Sequence, residues 1–220
     1  MKVAIMQPYF LPYIGYLQLL NSVDKFILYD DIEYTKKGWI NRNRIVDGEI
    51  ITLPLKKDSD YLNVVERRIS DDWSKQKTKL LNKIESRYRK AEYFTTGYKL
   101  FFNIINYEDT NLFYFIHNSI NEVKRFLEID TEIIVSSTLT RPQLQMQDSV
   151  IDLCKRVGGT SYVNPIGGKM LYDRNVFSDN ELSLSFLRNT YNNTLSILDI
   201  IMTTPKGEIK ERLLYDYEME

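Results

Sequence analysis

The sequence predicts an α/β protein, a single domain over residues 1–220, in which a mostly parallel sheet is interrupted by a helical insertion at about 72–130. Three observations predict this fold. The chain opens in the order strand, helix, strand; apolar residues in its middle third recur at the three- and four-residue spacing of helices; and strands and helices alternate again afterwards. Because parallel strands joined by helices form doubly wound sheets, we expect a Rossmann-like arrangement.

The first elements predict a βαβ unit followed by a hairpin. Apolar residues fill Lys2–Met6 and Lys25–Tyr29, and Ile14–Leu20 between them has helical spacing. A connection of this kind places its two strands side by side and parallel. The stretch Gly48–Leu55 alternates and begins at an Asp-Gly turn, which predicts a hairpin with Arg44–Val46.

The insertion and the last third of the chain supply the remaining elements. Helical spacing runs over about 73–127, and Ser70-Asp71 and Asp109-Thr110 offer capping oxygens ahead of its helices. The segments that follow read, in order, TEIIVSS, QDSVIDLCKRVGG, SYVN, LSLSF and SILDIIM. Alternation of this kind extends a parallel sheet beyond the insertion.

The composition is typical of a soluble globular protein, with 43% hydrophobic and 27% charged residues. The formal net charge is −1, so no positive field would draw the chain onto nucleic acid. No apolar run approaches the ~20 residues of a membrane span, and the N-terminus lacks the pattern of a secretory signal. We therefore expect a cytoplasmic protein with no membrane span and no nucleic-acid partner.

A single histidine, His117, and a single cysteine, Cys154, restrict the metal and nucleophile chemistry of the chain. A zinc site built on these residue types needs three or four ligands, so no zinc is expected. The same scarcity argues against Ser-His-Asp and Cys-His catalysis. The cofactor stays unknown, and a metal would be a divalent cation on oxygen ligands. Cys154 follows the apolar spacing of its helix, which predicts a place in the core.

The loop after the first strand, QPYFLPYIGY, is stiff and aromatic. Pro8 and Pro12 fix two backbone φ angles, so ordering the loop costs little entropy, and the glycine permits a ligand to come close. Loops that follow the strands of an open α/β sheet line its ligand site. Tyrosine rings there can stack on a base or sugar, or they can fill the gap between sheet and insertion. The candidate ligand-binding residues of this loop are Gln7, Tyr9, Tyr13, Gly15 and Tyr16.

A second polar cluster follows the second predicted strand. Asp30 and Asp31 end that strand, and one of these carboxylates can act as an acid, a base or a ligand to a cation or hydroxyl, so they are the candidate catalytic residues. Arginine forks in the next segment suit phosphate or carboxylate, and in an extended segment its asparagines and arginines face opposite ways. As a plain surface loop, the segment would be a solvated charge run around one buried tryptophan. Its candidate binding residues are Lys36, Lys37, Trp39, Asn41, Arg42, Asn43 and Arg44.

A third candidate cluster follows the predicted strand SYV. Two glycines there allow backbone amides to meet an anion, and a lysine adds a positive charge. The segment would either lie on the same edge of the sheet as the first two clusters or serve only as a structural turn. Its candidate binding residues are Asn164, Gly167, Gly168, Lys169 and Tyr172.

Four stretches taken together resemble the WbqC-like protein family, in order and over nearly the whole chain. They are QPYFLPYIGYLQLL, VDKFILYDDIEYTKKGWINRNRI, YVNPIGGKMLYD and LSILDIIM. The resemblance implies a bacterial protein of surface-polysaccharide biosynthesis, of the O-antigen type. It also implies a cytosolic sugar-modifying or transferase role.

Three functions stay open on the sequence. The first is a transferase that modifies a nucleotide-linked amino sugar, and the second is a non-catalytic module that binds a sugar intermediate or a partner enzyme. The third is an enzyme similar to nucleotidylyl transferases, because Tyr13-Ile14-Gly15-Tyr16 has the spacing of their His-x-Gly-His signature, although a phenol lacks the near-neutral pKa of histidine. The expected ligand is a nucleotide-linked sugar or another phosphorylated small molecule, and a homo-oligomer is compatible with the sequence.

Overall fold

Strands and helices alternate along the chain, and a computed structural model describes residues 1–140, 142, 144 and 146–220. The strands are β1 (Lys2–Met6), β2 (Lys25–Leu28), β3 (Arg42–Arg44), β4 (Ile50–Thr52), β5 (Glu132–Val135), β6 (Ser161–Pro165), β7 (Ser183–Asn189) and β8 (Tyr217–Met219). The helices are α1 (Ile14–Asn21), α2 (Trp73–Tyr88), α3 (Phe94–Ile105), α4 (Leu112–Leu127), α5 (Met146–Arg156), α6 (Arg174–Asp179), α7 (Ile197–Thr203) and α8 (Lys206–Tyr215). The predicted α/β class is confirmed, with the helices α2 to α4 in the middle of the chain.

The main sheet has the strand order β5-β2-β1-β6-β7-β8. Its first five strands are parallel, and β8 pairs antiparallel to β7 at the edge. β1 and β2 are neighbours, with Val3 opposite Lys25 and Met6 opposite Leu28. The predicted parallel βαβ unit and the mostly parallel sheet are therefore confirmed.

Apolar layers cover both faces of this sheet. Val3 and Ile5 of β1 pack in the cluster to which α5 contributes, whereas Ala4 packs in the cluster of α1 and the middle helices. This division follows from the two-residue period of a strand. Cys154 of α5 is buried in the first cluster, as predicted, and burial raises the pKa of its thiol to about 12.

The middle helices begin slightly later than the predicted caps. α4 begins after Asn111, whose side-chain oxygen accepts a hydrogen bond from the backbone N–H of Tyr114 at 3.2 Å. Asp109 accepts instead from the N–H of Asn111 at 2.8 Å, which is an Asx turn ahead of the cap. α2 likewise begins after Asp72. Within the described ranges, no helix is long and apolar enough to cross a membrane.

A small hairpin, β3 with β4, carries the polar segment that follows β2. Arg44 pairs with Ile50, so the paired residues of β3 lie about two positions before the predicted arm. Asp47 and Gly48 turn the chain with φ angles of 59° and 72°. The predicted Asp-Gly turn is therefore present, and glycine accommodates its left-handed backbone without strain.

Candidate functional site

The carboxyl ends of the five parallel strands lie at one edge of the main sheet. From β1 the chain moves outward through β2 to β5, then returns to β6 on the other side of β1 and moves outward to β7. The strand order therefore reverses between β1 and β6. Open α/β sheets bind their ligands at such a switch point.

A cavity of about 710 Å³ lies at this point and is termed the switch-point cavity. It is bordered by the ends of β1, β2 and β6, by the first turn of α5 and by the 3₁₀ turn Ile166–Leu171. Its volume suits a small molecule. The polar side chains that line it include Gln7, Tyr9, Tyr29, Gln147, Asn164 and Tyr172.

The lining of the switch-point cavity, among the described residues, is uncharged. The half-buried amide of Gln7 makes no hydrogen bond to a side chain or backbone group in the described ranges. Asn164 is held in place because the hydroxyl of Tyr162 donates to its Oδ1 at 2.8 Å. Burial raises the pKa of Tyr9 and of Tyr172, so both phenols stay protonated at neutral pH and can donate hydrogen bonds. The cavity therefore offers amides, hydroxyls and aromatic faces.

A second cavity, of about 310 Å³, shares Tyr9 with the first and is termed the arginine cavity. The guanidinium of Arg44 lines it and forms no ion pair with a described carboxylate. This guanidinium lies 5.4 Å from the centre of the Trp39 ring, and that of Arg42 lies 5.3 Å from the same centre. Both distances are those of cation–π contacts, which hold the two cations beside the ring. The remaining lining consists of Tyr13, Asn43 and Thr194.

The side chains of β3 alternate, as the sequence predicted for its arginines and asparagines. Arg42 and Arg44 lie beside Trp39, whereas Asn43 between them is buried. The Nδ2 of Asn43 donates to the carbonyl of Leu11 at 2.6 Å. Leu11 has a φ of 44°, a left-handed conformation that a leucine adopts only when its surroundings support it. Asn43 therefore fixes the aromatic loop in its shape.

Asp30 and Asp31 line neither cavity. Asp30 is fully buried, and its carboxylate accepts hydrogen bonds from the hydroxyl of Ser136 at 2.9 Å and from the backbone N–H and hydroxyl of Ser137 at 2.9 and 2.7 Å. These bonds join the end of β2 to the turn after β5. Asp31 is half-buried, and its carboxylate lies beside the same Ser136 hydroxyl, so the two carboxylates share that single proton donor. Neither carboxylate shares one of these two cavities with the aromatic loop or the arginines, and the catalytic role of the two aspartates stays a prediction.

Metal ligation has little support in this geometry. Among the residues that the structure describes, no three His, Cys, Asp or Glu side chains lie together in a way that could hold a metal ion.

Two residues of the aromatic loop shape the loop itself. Tyr16 is fully buried and donates its hydroxyl to the carbonyl of Gln7 at 3.1 Å, so it has no exposed face on which a ligand could stack. A Cβ on Gly15 would lie 2.5 Å from the ring of Tyr13, so the glycine allows close packing against that ring. Tyr16 therefore fills space in the core, which was the alternative role expected for these tyrosines, whereas Tyr9 and Tyr13 line cavities.

Four residues of the second cluster line neither cavity, namely Lys36, Lys37, Asn41 and Arg42. Lys36 and Asn41 line a third cavity, which also contains Arg67. Asn41 is buried there, and its polar atoms are engaged by other groups of the protein. Lys37 is exposed, and its backbone carbonyl accepts a hydrogen bond from the guanidinium of Arg42.

The glycine segment after β6 supports the switch-point cavity. A Cβ on Gly168 would lie 2.0 Å from the Nδ2 of Asn164, whereas a Cβ on Gly167 would meet open space. Lys169 lines neither cavity and forms an ion pair with Glu220 at 2.7 Å. The third cluster therefore reaches the cavity through its asparagine and tyrosine, while its lysine belongs to a surface ion pair.

Sequence reasoning missed several residues of these sites. Tyr29 directly follows β2 and precedes the predicted aspartates, so the strand-end argument that selected Asp30 could also have selected Tyr29. Gln147 carries no motif, and it reaches the switch-point cavity because α5 begins there. Thr194 lines the arginine cavity from the segment between β7 and α7, which contains no recognisable motif.

Comparison with known proteins identifies the family. The model of the WbqC-like protein family matches residues 7–211. The chain is 29% identical over 184 residues to the uncharacterized protein Rv1507c of Mycobacterium tuberculosis, and this match covers 81% of the chain and 78% of that protein. No solved structure matches the chain. Because the family match extends over nearly the whole sequence, this protein belongs to the WbqC-like protein family.

Proposed function

We propose that this protein binds a nucleotide-linked sugar and modifies it as a transferase of bacterial surface-polysaccharide biosynthesis. The observation that carries the proposal is the pair of cavities that share Tyr9. Among the described residues, one is lined by uncharged groups and the other by an arginine that forms no ion pair. The proposed pathway and its cytoplasmic location follow what the family resemblance implies.

The switch-point cavity suits the neutral ring of such a ligand. Sugar hydroxyls both donate and accept hydrogen bonds, and the amides of Gln7 and Gln147 and the phenols of Tyr9 and Tyr172 offer matching groups. The faces of aromatic side chains add apolar contact for a sugar or base. Because the Gln7 amide has no partner in the described protein, a ligand hydroxyl would supply its missing hydrogen bonds.

The arginine cavity suits the phosphate groups of the same ligand. The planar guanidinium of Arg44 can bind a phosphate with two parallel hydrogen bonds. Its cation–π contact with the Trp39 ring holds it from one side. A ligand lying across Tyr9 would thus place its ring in one cavity and its charge in the other.

The catalytic step of this proposal belongs to Asp31 before Asp30. Asp31 is half-buried at the end of β2, whereas Asp30 is fully buried and holds the serines after β5. In this role Asp30 positions the strand end from which Asp31 and Tyr29 project. Because Asp31 lies outside the lining of both cavities, its carboxylate would accept or deliver the proton of a ligand group that extends beyond them.

A non-catalytic sugar-binding module is the second candidate. It is favoured by the absence of any Asp, Glu, His or Lys side chain from the described lining of the switch-point cavity. Enzyme and module make the same binding predictions, so turnover separates them.

Ligand titration of purified protein tests the proposal. Nucleotide sugars and the corresponding free sugars would be titrated by calorimetry, followed by turnover assays with acyl and aminoacyl donors. Arg44→Met should weaken nucleotide-sugar binding about tenfold or more, because a hydrogen-bonded charge is lost, and should leave free-sugar binding unchanged. Gln7→Leu should weaken both ligands.

A matched control and two outcomes decide between the candidates. Arg89→Met removes an exposed arginine at the end of α2, outside the lining of both cavities, and should change neither affinity. Binding with turnover that Asp31→Asn lowers by about 100-fold supports the transferase, and binding without turnover supports the module. Equal affinities of all variants for every nucleotide sugar would exclude both.

A further inference from the structure

Arg67 is a buried arginine that pairs with no carboxylate in the described part of the chain. The whole residue is 4% exposed, and the Nε of its side chain has no hydrogen-bond partner among the described residues. Its Nη2 donates a hydrogen bond to the backbone carbonyl of Asp60 at 3.3 Å, which is long for such a bond. The guanidinium carbon lies 4.8 Å from the centre of the Tyr34 ring. A buried positive charge is costly unless an anion or several hydrogen bonds compensate it. This guanidinium therefore lacks the partner that such a position requires.

The backbone around Arg67 fixes where this side chain points. The residue follows the 3₁₀ turn Val64–Glu66, and its N–H donates to the carbonyl of Val64 at 3.2 Å. Its own carbonyl accepts from the N–H of Leu112, in the first turn of α4, at 3.0 Å. Val64 and Ile69 on either side are buried in the core. The backbone of Arg67 is therefore anchored to the core, and its side chain lines the cavity described next.

The cavity that Arg67 lines is about 330 Å³ in volume and is rich in positive charge. Lys36, Lys56 and Lys57 line it with Arg67, against the carboxylates of Asp58 and Asp60. It shares no lining residue with the switch-point cavity or the arginine cavity.

The three lysines of this cavity differ in whether a carboxylate already pairs with their charge. Lys36 pairs with Asp60 at 2.5 Å, and Lys56 pairs with Asp71 at 2.5 Å. Lys57 forms no ion pair with any described residue, so it and Arg67 are the cations of this cavity with charge to offer.

We propose that the Arg67 cavity binds a phosphoryl group of a small phosphorylated ligand. The guanidinium of Arg67 forms the floor of this site and donates the planar pair of hydrogen bonds that phosphate accepts, and Lys57 adds a mobile charge at the rim. Burial of Arg67 makes the site selective, because a desolvated fork favours a dianion over chloride. The site is separate from the one proposed for the nucleotide-linked sugar.

Inorganic pyrophosphate and phosphate are the probes for this site. Titrations would be carried out by calorimetry and thermal unfolding in the Arg44→Met background, so that binding in the arginine cavity does not contribute. Potassium chloride at matched ionic strength controls for screening. Pyrophosphate should raise the unfolding temperature in a saturable manner, beyond the effect of that salt.

Three further substitutions locate the binding. Arg67→Met keeps the apolar stem and removes the charge, and it should lower pyrophosphate affinity by about tenfold or more. Without added anion it should unfold at the same temperature as its parent or higher, because an uncompensated buried charge is gone. Lys57→Ala should weaken binding by about threefold. Arg68→Met, at the exposed neighbour outside the cavity, should change nothing.

Several results would overturn the proposal. These are a pyrophosphate response no larger than that of chloride, or an unchanged affinity after Arg67→Met. If Arg67→Met does not fold, Lys57→Ala decides, and unchanged binding in that variant argues against the site. Because the arginine cavity is already disabled, none of these failures bears on the proposed sugar nucleotide.

Discussion

His117, the single histidine of the chain, lies half-buried on α4 with its ring stacked on Phe113. Burial lowers the pKa of its imidazole, and the nearby charge of Asp30 opposes this shift. Because the pKa of this imidazole differs between the folded and unfolded states, the free energy of unfolding depends on pH even if His117 takes no part in catalysis.

Acidification should therefore destabilise the protein partly through His117. The pKa of His117 is lower in the folded state than in the unfolded state, so the unfolded state binds the proton at a higher pH. The free energy of unfolding therefore decreases as the pH falls below about 6.5, the pKa of an unperturbed histidine. His117→Gln should lose less stability than the wild type between about pH 7 and about pH 5. Urea unfolding across this range measures the difference, and parallel curves for the two proteins would contradict the prediction.

Neighbouring glycines of one turn offer a second test at the scale of single residues. Gly168→Ala places a methyl group against the side chain of Asn164, so it should cost about 1–3 kcal/mol of unfolding free energy and weaken ligands of the switch-point cavity. Gly167→Ala meets open space and should stay within about 0.5 kcal/mol of the wild type. Thermal unfolding and ligand titration compare the pair, and equal effects would show that the asparagine moves freely.

At the scale of elements, Tyr88 joins the hairpin to two helices. Its hydroxyl, on α2, donates to Asp199 of α7 at 2.7 Å and accepts from the N–H of Val46 at 3.1 Å. Burial raises the pKa of both side chains, so the phenol stays protonated. The hairpin that carries the arginines thus takes its orientation partly from this hydroxyl.

Removal of that hydroxyl should loosen the hairpin. Tyr88→Phe leaves a backbone N–H and a buried carboxylate without their partner, so it should lower the free energy of unfolding by about 1–3 kcal/mol. Tyr98→Phe is the matched control, because the Tyr98 hydroxyl makes no hydrogen bond with the described protein. Denaturant unfolding measures both, and a loss in the control as large as that in Tyr88→Phe would refute the assignment.

At the scale of the whole molecule, charge is divided among three cavities. The switch-point cavity has a neutral lining in the described structure, whereas Arg44 and Arg67 line separate cavities. Salt screens exposed charges over about 10 Å at 0.1 M. Affinity for a free sugar should therefore change little with salt, while affinity for pyrophosphate should fall. Calorimetry at low and high salt measures how the affinity for each ligand changes with salt concentration. If the affinity for the free sugar fell as steeply as that for pyrophosphate, the neutral switch-point cavity would not be the sugar site.

Local patterns were enough to predict the sheet but not its edge. The β1-α1-β2 unit could be predicted because its strands are apolar and its connection is short. β8 and α8 were not predicted. Only Ile209 and Leu213 of α8 are buried, so its apolar spacing is weak, and β8 is a three-residue strand that depends on pairing with β7.

The candidate site was predictable where residues follow strand ends and unpredictable where distant segments meet. Gln7, Tyr9 and Asn164 come together because β1 and β6 are neighbours in one sheet. Arg67 lies between predicted elements with no motif, and its burial follows from contacts with α4. The side chains of adjacent residues also point in different directions, so the sequence alone could not show that Asp30, rather than Asp31, would be fully buried against the serines after β5.

The pairing of β1 with β6 also sets an order of events during folding. Lys2 of β1 lies opposite Ser161 of β6 in this central seam, so two strands separated by more than half of the chain must meet there. Contacts between residues so far apart in sequence are slow to form, whereas β1, α1 and β2 can assemble while the rest of the chain is still being synthesised. The switch-point cavity spans the seam, so we expect it to be among the last parts to form. A ligand that fills it would then act mainly by slowing unfolding.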